Sequence, residues 1–532
     1  MRTNAFRYAA IVALGGAIFG LDAALISGTV RFITEEFGLS DWQIGSVVSA
    51  PGFGVLFALL ATGFLADKYG RKKIIQVIAA LYILSALWST MAPSYYHLLA
   101  ARFLGGLAFT SLSLAAMYIG EIAPTKMRGK LVAMNQINIV VGLSAAYFIN
   151  YIILQASNSD ASWVTDLGLG QNTWRWMLGA EIIPAILWFV LLFTIPRSPR
   201  WLVLQGRIEE ARSVMARLMP AYEIEEEIAH IQKSIEKTGG QASPWIQFKR
   251  LLEPSLRVAF IIGLTFAIVQ PITGINAILF YAPTVFEQVG LGTDAAFMQA
   301  VFVGLISLVF TILALLLIDK VGRRPLTLWG LLWAALSLGI CAYGFHHATY
   351  TLTDESLATL PTTLDTSPLQ SLLGIEYGSD ILFKDAVKQV LGEGTARSYE
   401  SQLIQSAAEL PASWILFGIL SFIAAFQFSV GPVMWVVFSE IFPTRVRGVA
   451  IPAFALVTSI VSYLVQQFFP WQLSHMGASD IFLFYATASA IGLLAMYKYL
   501  PETKNKSIEE IEAALANKAS QKSAPEGHLA PL

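Results

Sequence analysis

The chain has 532 residues, 55% of them hydrophobic and only 13% charged, with a formal net charge of −1. Soluble domains carry roughly 25% charged residues, so this composition, with a mean hydropathy of +0.61, excludes a soluble globular protein and indicates many membrane spans. The membrane composition, rather than the near-neutral charge, argues against a nucleic-acid partner, and the single cysteine, Cys341, excludes a disulfide within the chain.

The residues Met1 to Arg7 lead into an apolar run too long for a signal-peptide core, with no convincing small-residue cleavage site, and read as the start of a retained first helix. Apolar runs of about 20 residues are long enough to span a bilayer. Twelve are predicted, at 8–30, 44–66, 74–92, 98–120, 131–154, 174–195, 255–286, 296–318, 326–346, 412–438, 448–470 and 479–499. The first contains Gly15 to Gly28, rich in small residues yet carrying one bare carboxylate, Asp22. Such a charge costs a few kcal/mol or more unless paired or protonated, and marks pathways and proton relays more often than packing contacts.

Lys and Arg set the orientation. With the N-terminus inside, the inner segments hold Arg2, Arg7, the 68–73 cluster, Lys126, Arg128, Lys130, nine basic residues between 196 and 252, Lys320, Arg323, Arg324, Arg445, Arg447 and the tail. The outer loops hold only Arg31, Lys384, Lys388 and Arg397. Both termini are therefore expected in the cytoplasm.

The chain repeats itself. Asp67-Lys68-Tyr69-Gly70-Arg71 after span two returns as Asp319-Lys320-Val321-Gly322-Arg323 after span eight. The stretch Gly120-Glu121 to Arg128-Gly129, which ends span four, returns as Ser439-Glu440 to Arg447-Gly448, which ends span ten. Two six-span halves in parallel orientation follow, the major facilitator arrangement, with sites near the midplane between them. The boundaries expected are 1–195 for the first bundle, 196–252 for cytoplasmic linker helices, 253–500 for the second bundle and 501–532 for a cytoplasmic tail that ends in disorder. From Asp67 to Asp319 is 252 positions and from Glu121 to Glu440 is 319, so the second half carries an insertion of 67 between spans eight and ten. Residues 347–411 fill it on the outer side, with amphipathic helices predicted over 385–391 and 398–410. The insert reads as a lid or packing element, or as a docking surface. In the linker, 208–219 and 222–237 have helical periodicity, and their charges read as solvated faces or as gating contacts.

Three formal charges stand inside the apolar cores: Asp22 of span one, Arg102 of span four and Glu181 of span six. At 1.5 Å per residue all three lie in the outer half of the bilayer, within roughly one helical turn of a common level. A guanidinium between two carboxylates is a proton-binding arrangement, because the second carboxylate raises the proton affinity of the first; a static structural pair is the alternative. The six histidines show no metal-ligand spacing, and there is no phosphate-cradling glycine loop and no nucleophile–base pair. No metal, cofactor or nucleotide is implied, and no enzymatic activity.

Taken together the motifs resemble the sugar porters of the major facilitator superfamily, most closely bacterial sugar–proton symporters of the xylose type. The resemblance rests on Gly20-Leu21-Asp22, the two Asp-Lys-x-Gly-Arg loops, Ala101 to Gly106, Trp174-Arg175-Trp176, Ser198-Pro199-Arg200-Trp201-Leu202, Gly274-Ile275-Asn276, Gly431 to Trp435 and Pro501-Glu502-Thr503-Lys504. It covers the chain except 347–411 and the tail. It implies that Asp22 couples proton to sugar with Arg102 and Glu181 as its partners. It further implies that Gln136, Gln270 and Asn276 bind sugar hydroxyls, that Trp435 packs on the sugar ring, and that Phe19 and Tyr281 line or close the site. Amides suit hydroxyls and an aromatic plane suits the apolar ring face, although membrane helices also use amides to bond one another. The sequence departs from the family where Pro271 follows Gln270 in place of a second glutamine, and at Ser307, Leu143 and Thr458-Ser459; Arg197 replaces an acidic residue before Ser198. The expected site has fewer, shorter amide ligands. Arg71, Glu121, Arg128, Arg323, Glu440 and Arg447 at the inner helix ends are expected to form ion pairs that close the inner side. The function implied is import of a sugar or polyol with a proton across a bacterial plasma membrane by a functional monomer. A passive facilitator and a non-transporting nutrient sensor are the alternatives; the short tail counts against the sensor.

Overall fold

The computed structural model describes residues 2–123, 128–238, 244–506 and 510–515. The predicted disordered tail end, residues 124–127 of the first helix-end motif and the side chain of Arg128 lie outside what it describes. Among the described residues, twelve helices are long and apolar enough to cross a membrane, and each coincides with one predicted span.

Small residues decide how closely these helices approach. Span one (Asn4–Gly28) lies on span five (Ala133–Ser157). A Cβ on Gly20 would stand 2.1 Å from the carbonyl oxygen of Ile139, and one on Gly142 would stand 2.0 Å from that of Ala17. Backbone-to-backbone contact of this kind is how helices associate in lipid, where the hydrophobic effect does not drive them together. Asn138 and Asn150 of span five add hydrogen bonds to the carbonyls of Ala13 (3.0 Å) and Leu25 (3.1 Å). Large apolar side chains such as Leu60, Ile183 and Leu494 remain exposed around the body, as a lipid-facing belt requires.

The halves meet along two seams. Span two (Asp41–Tyr69) packs on span eleven (Val446–His475), where Ser49 donates to Gln467 at 2.8 Å and Gln467 donates to the Trp42 carbonyl at 3.1 Å. Span five packs on span eight (Thr293–Val321), where Ser144 donates to the Gly304 carbonyl at 2.6 Å. Tyr147 of span five also donates to the carbonyl of Leu279 in span seven, at 2.5 Å.

The internal repeat is repeated in geometry. Gly70 and Gly322 hold φ of 92° and 108°, in a region that favours glycine. Each is followed by an arginine that reaches back one turn, Arg71 to Asp67 at 2.8 Å and Arg323 to Asp319 at 2.9 Å.

Span seven departs from a simple rod. The sequence predicts one continuous span over 255–286. Instead the helix runs through the proline as Arg257–Ile272 and turns at Gly274 (φ 88°), where a Cβ would meet the Tyr485 ring at 2.4 Å. It resumes as Ile275–Phe280, where the span ends, and beyond Tyr281 a separate short helix, Ala282–Glu287, follows on the outer side.

The linker forms Pro199–Leu204, Ile208–Met215 and Ala221–Thr238, which share a small core of Trp201, Leu202, Ala211, Met215, Ile224 and Ile228. The first predicted linker helix ends at Met215 rather than 219, ahead of the break imposed by Pro220. The insert is more than two helices. A three-stranded antiparallel sheet, β1 (Thr349–Thr351), β2 (Glu376–Tyr377) and β3 (Ala408–Glu409), ordered β2-β1-β3, closes its base. The first predicted insert helix begins earlier, at Asp380, where the Ser379 hydroxyl caps it. The second, predicted over 398–410, forms as Glu400–Ala407 and its last residues join β3, while a further short helix, Glu393–Ser398, precedes it. Tyr350, Phe383, Val387, Leu403 and Ile404 give the insert its own apolar core.

Candidate functional site

The three core charges meet. Arg102 Nη1 donates to Asp22 Oδ1 at 2.5 Å, and both side chains are buried. The Glu181 carboxyl, also buried, stands beside them as a neighbour of Asp22 and Arg102. The helices bring this about: Arg102 comes from span four (Tyr95–Ile122), and Glu181 lies at the junction in span six (Thr173–Leu191) between the helical stretches Thr173–Gly179 and Ile182–Leu191. The cluster is incompletely satisfied. Asp22 Oδ2, Arg102 Nε and Glu181 Oε1 are buried with no hydrogen-bond partner among the described residues. Two facing carboxylates in low dielectric repel unless a proton lies between them. One proton would turn an unpaired acceptor into a donor and join the two acids. Tyr82, bonded to Ser111 at 3.2 Å, flanks this group and was not singled out from the sequence, since a lone tyrosine in an apolar helix carries no signal.

The amide and aromatic candidates divide between the halves. Gln136 of span five and Gln270 of span seven are half-buried, and their side chains form no hydrogen bond to a described residue. Asn276, two residues beyond the turn at Gly274 in span seven, donates to Ser462 of span eleven at 2.8 Å, and Gln466 donates to the same hydroxyl at 3.0 Å. Trp435 of span ten (Ala412–Ile441) is 43% exposed, with its ring edge on Phe438, which in turn meets Phe266 of span seven. Phe19 packs edge-on against Phe109 at 4.7 Å within the first half and makes no described ring contact with the second. Tyr281 is fully buried; it donates to the Gln466 carbonyl at 2.8 Å and packs by Phe469, in the layer that separates the interior from the insert.

The departures from the family and two buried amides outside the motifs have their own partners in the structure. Ser307 and Thr458 turn their hydroxyls back to their own helices, on Val303 and Phe454. Gln427 of span ten accepts from Thr311 at 3.3 Å, and Gln466 of span eleven donates to Ser462.

On the linker face each half carries its own ion pair. Arg71 donates to Glu121 at 3.0 Å, and Glu121 also accepts from Ser198. Arg323 pairs with Glu440 at 2.8 Å, and Glu440 accepts from Thr503 at 2.5 Å. Among the described residues these pairs stay within one half and do not bridge the two. Arg447 donates to the Phe442 carbonyl at 3.0 Å and makes no described ion pair. Pro196-Arg197-Ser198 and Pro501-Glu502-Thr503 occupy equivalent places in the two halves. Glu502 accepts from the backbone N–H groups of Arg323 (3.0 Å) and Arg324 (3.2 Å), a carboxylate on a helix N-terminus. Arg197 cannot do this for the first half; it sits 3.9 Å from Glu210 at the surface.

The profile of the family described as "Sugar (and other) transporter" matches residues 8–361 and 401–515. The chain belongs to that family. The transporter is 31% identical to the arabinose-proton symporter of Bacillus subtilis (strain 168) over 94% of its own length and 92% of that protein. It is also 31% identical to the D-xylose-proton symporter of Escherichia coli (strain K12), over 96% of its length and 95% of the relative's. Among solved structures, the inward-open conformation of the xylose transporter from E. coli superposes with a TM-score of 0.71 at 28% identity, covering 96% of this chain and 99% of that one. The protein is thus a multi-pass plasma-membrane transporter of the sugar porter class and not an enzyme.

Proposed function

We propose that the transporter imports a sugar or related polyol together with a proton, by alternating access between its two six-span halves. The observation that carries the reading is the buried Asp22–Arg102–Glu181 cluster, with an oxygen of each carboxylate left without a donor. An ion pair kept only for stability would have those oxygens satisfied; a proton-loading site needs one acceptor in reserve. Proton-coupled sugar transport by the arabinose and xylose relatives supports the same conclusion.

In this reading the proton arrives on the Asp22–Glu181 pair, and Arg102 redistributes between the two acids as it binds and leaves. The sugar lies between Gln136 on one side and Gln270, Asn276 and Trp435 on the other, its hydroxyls on the amides and its apolar face against the indole. Tyr281 and Phe19 shape the outer boundary. The linker face is cytoplasmic, with both termini on that side, as the basic residues require. Hydrogen bonds tie the halves together toward the insert face, whereas the pairs built on Arg71 and Arg323 do not cross between halves, so the arrangement corresponds to a carrier closed to the outside. Opening outward would bring the linker-face ends together, with Arg128 and Arg447 available to Glu440 and Glu121 across the seam. The functional unit is a monomer, since each chain contains both halves.

Uptake into proteoliposomes, with a panel of pentoses, hexoses and polyols and with or without an inward proton gradient, tests the proposal. Asp22→Asn is expected to abolish accumulation against a gradient and to leave sugar exchange at equilibrium intact. Undiminished gradient-driven accumulation in that variant would remove the coupling role.

A further inference from the structure

The insert is anchored in the second half and grips the first. Its anchor is Lys384, buried and held by Asp380 (3.4 Å), Glu400 (3.1 Å), the amide oxygen of Gln288 (2.9 Å) and the Leu473 carbonyl (3.4 Å). Burial opposes the lysine charge, but Glu400 and Asp380 outweigh it and hold its pKa above the ordinary value; Glu400 is correspondingly held low, its own burial outweighed by Lys384. The grip is Arg397, which donates to the Leu39 carbonyl at 2.7 Å and pairs with Asp41 at 3.1 Å, both at the start of span two. A second grip is Arg31, on the short helix Val30–Phe37 that prolongs span one. Arg31 donates to Thr293 of span eight and to the amide oxygen of Gln402 in the insert, and stands 3.9 Å from Glu287.

Between these grips is a pocket of about 110 Å³ walled by both halves and the insert, with Tyr281 on its boundary. Glu287 lines it, buried, with Oε1 lacking a hydrogen-bond partner. The charged groups around this carboxyl are Arg31 and Glu35 from the first half and Glu400 from the insert, with Lys384, Asp41 and Arg397 beyond them; Thr293 and Ser401 are its polar neighbours.

We propose that the insert is a strap that holds the outer face closed, with Arg397 and Arg31 as its fasteners across the seam and Glu287 as the acid that takes up a proton when the seam shuts. The proposal rests on the alternating-access reading, because a strap across the seam matters only if the halves part there. Arg397 and Asp41 belong to different halves, as do Arg31 and Glu287, so outward opening must break both contacts. The proton dependence has a definite sign. Burial pushes Glu287 up to about 7 from an ordinary 4.5, against the lowering by Arg31, Thr293 and Ser401. Opening the seam to water returns it toward the ordinary value, so the closed form binds the proton more tightly. This contribution to closure is complete below about 4.5 and is lost as the pH rises through about 7. An acidic exterior therefore favours the closed outer face, the direction a proton-driven importer needs.

Spin labels on the full-length transporter in nanodiscs, at Asp166→Cys in the first half and His475→Cys in the second, report the width of the outer face by pulsed dipolar spectroscopy. Arg397→Gln and Asp41→Asn are each expected to raise the outward-open to outward-closed ratio roughly fivefold, the upper range for a partly exposed pair. The double variant should add little, since both remove one contact. The closed fraction of the unaltered chain should fall between pH 6 and 8, and that of Glu287→Gln should stay flat, while Asp22→Asn keeps the fall. Because no sugar is needed, the result stands apart from the identity of the substrate. Unchanged distances in both Arg397→Gln and Asp41→Asn, with normal elution on size exclusion, would overturn the strap; an unaltered pH profile in Glu287→Gln would overturn the proton step.

Discussion

Gln136 and Asn138 are two residues apart on one helix and have opposite uses. Asn138 is committed to a carbonyl of span one, whereas the Gln136 amide has no bond to a described residue and is available to a ligand. Gln136→Ala should therefore raise the KM for sugar about tenfold with kcat nearly unchanged, the mark of lost binding felt equally in ground and transition states. Asn138→Ala should instead lower the melting temperature in detergent, with KM little altered. Steady-state uptake and a thermal-shift assay on both variants separate the two cases; equal KM values for Gln136→Ala and the parent would remove the glutamine from the site. At this scale the charges were legible in the sequence, because a carboxylate or guanidinium in an apolar run has a cost that demands a partner. Uncharged partners were not. Ser462, the acceptor shared by Asn276 and Gln466, is one of many serines in apolar helices, and only the rotation of span eleven against span seven singles it out.

Among whole helices, the contact of span one with span five tolerates little change, because two carbonyls occupy the places where side chains of Gly20 and Gly142 would go. Gly142→Leu cannot be absorbed by a rotamer change, since the obstacle is the backbone at Ala17. The helices must separate, which should cost about 3 kcal/mol and pull Asp22 away from Arg102. Loss of gradient-driven uptake together with a lower unfolding temperature is expected, and a fully active, equally stable variant would show that the helices can slide. Spans were legible as elements because bilayer thickness dictates their length. The break in span seven was not: Pro271, the conspicuous helix breaker, is carried inside the helix, while the turn depends on Gly274 facing the Tyr485 ring. Likewise a three-residue strand such as β1 is too short for an alternating pattern to register.

For the molecule as a whole, the transport body and the insert are separable by construction. β1 and β3 pair at the root of the insert, with Thr349 opposite Glu409 and Tyr350 opposite Ala408. Opposed residues in an antiparallel pair have Cα atoms about 5 Å apart, so the chain leaves span nine and returns to span ten at nearly one point. Excising residues 350–408 and joining the ends through two glycines should require little rearrangement of the twelve spans. The excised piece takes its own core with it, and it was visible in the sequence only as the excess spacing between repeated motifs. The shortened chain is expected to insert in the membrane, elute as a single species and carry out sugar exchange. It should also rest with its outer face open, and its closed fraction should respond less to pH, because Arg31 loses Gln402 and Glu287 loses the cover of Ser401 and Glu400. Accumulation ratios measured across a fixed pH gradient would then fall relative to the full chain while exchange rates hold, since a face that closes slowly lets bound sugar escape outward before the carrier turns. A shortened chain that accumulates sugar as steeply as the full one would mean that the seams between spans two and eleven and between spans five and eight close the outer face by themselves.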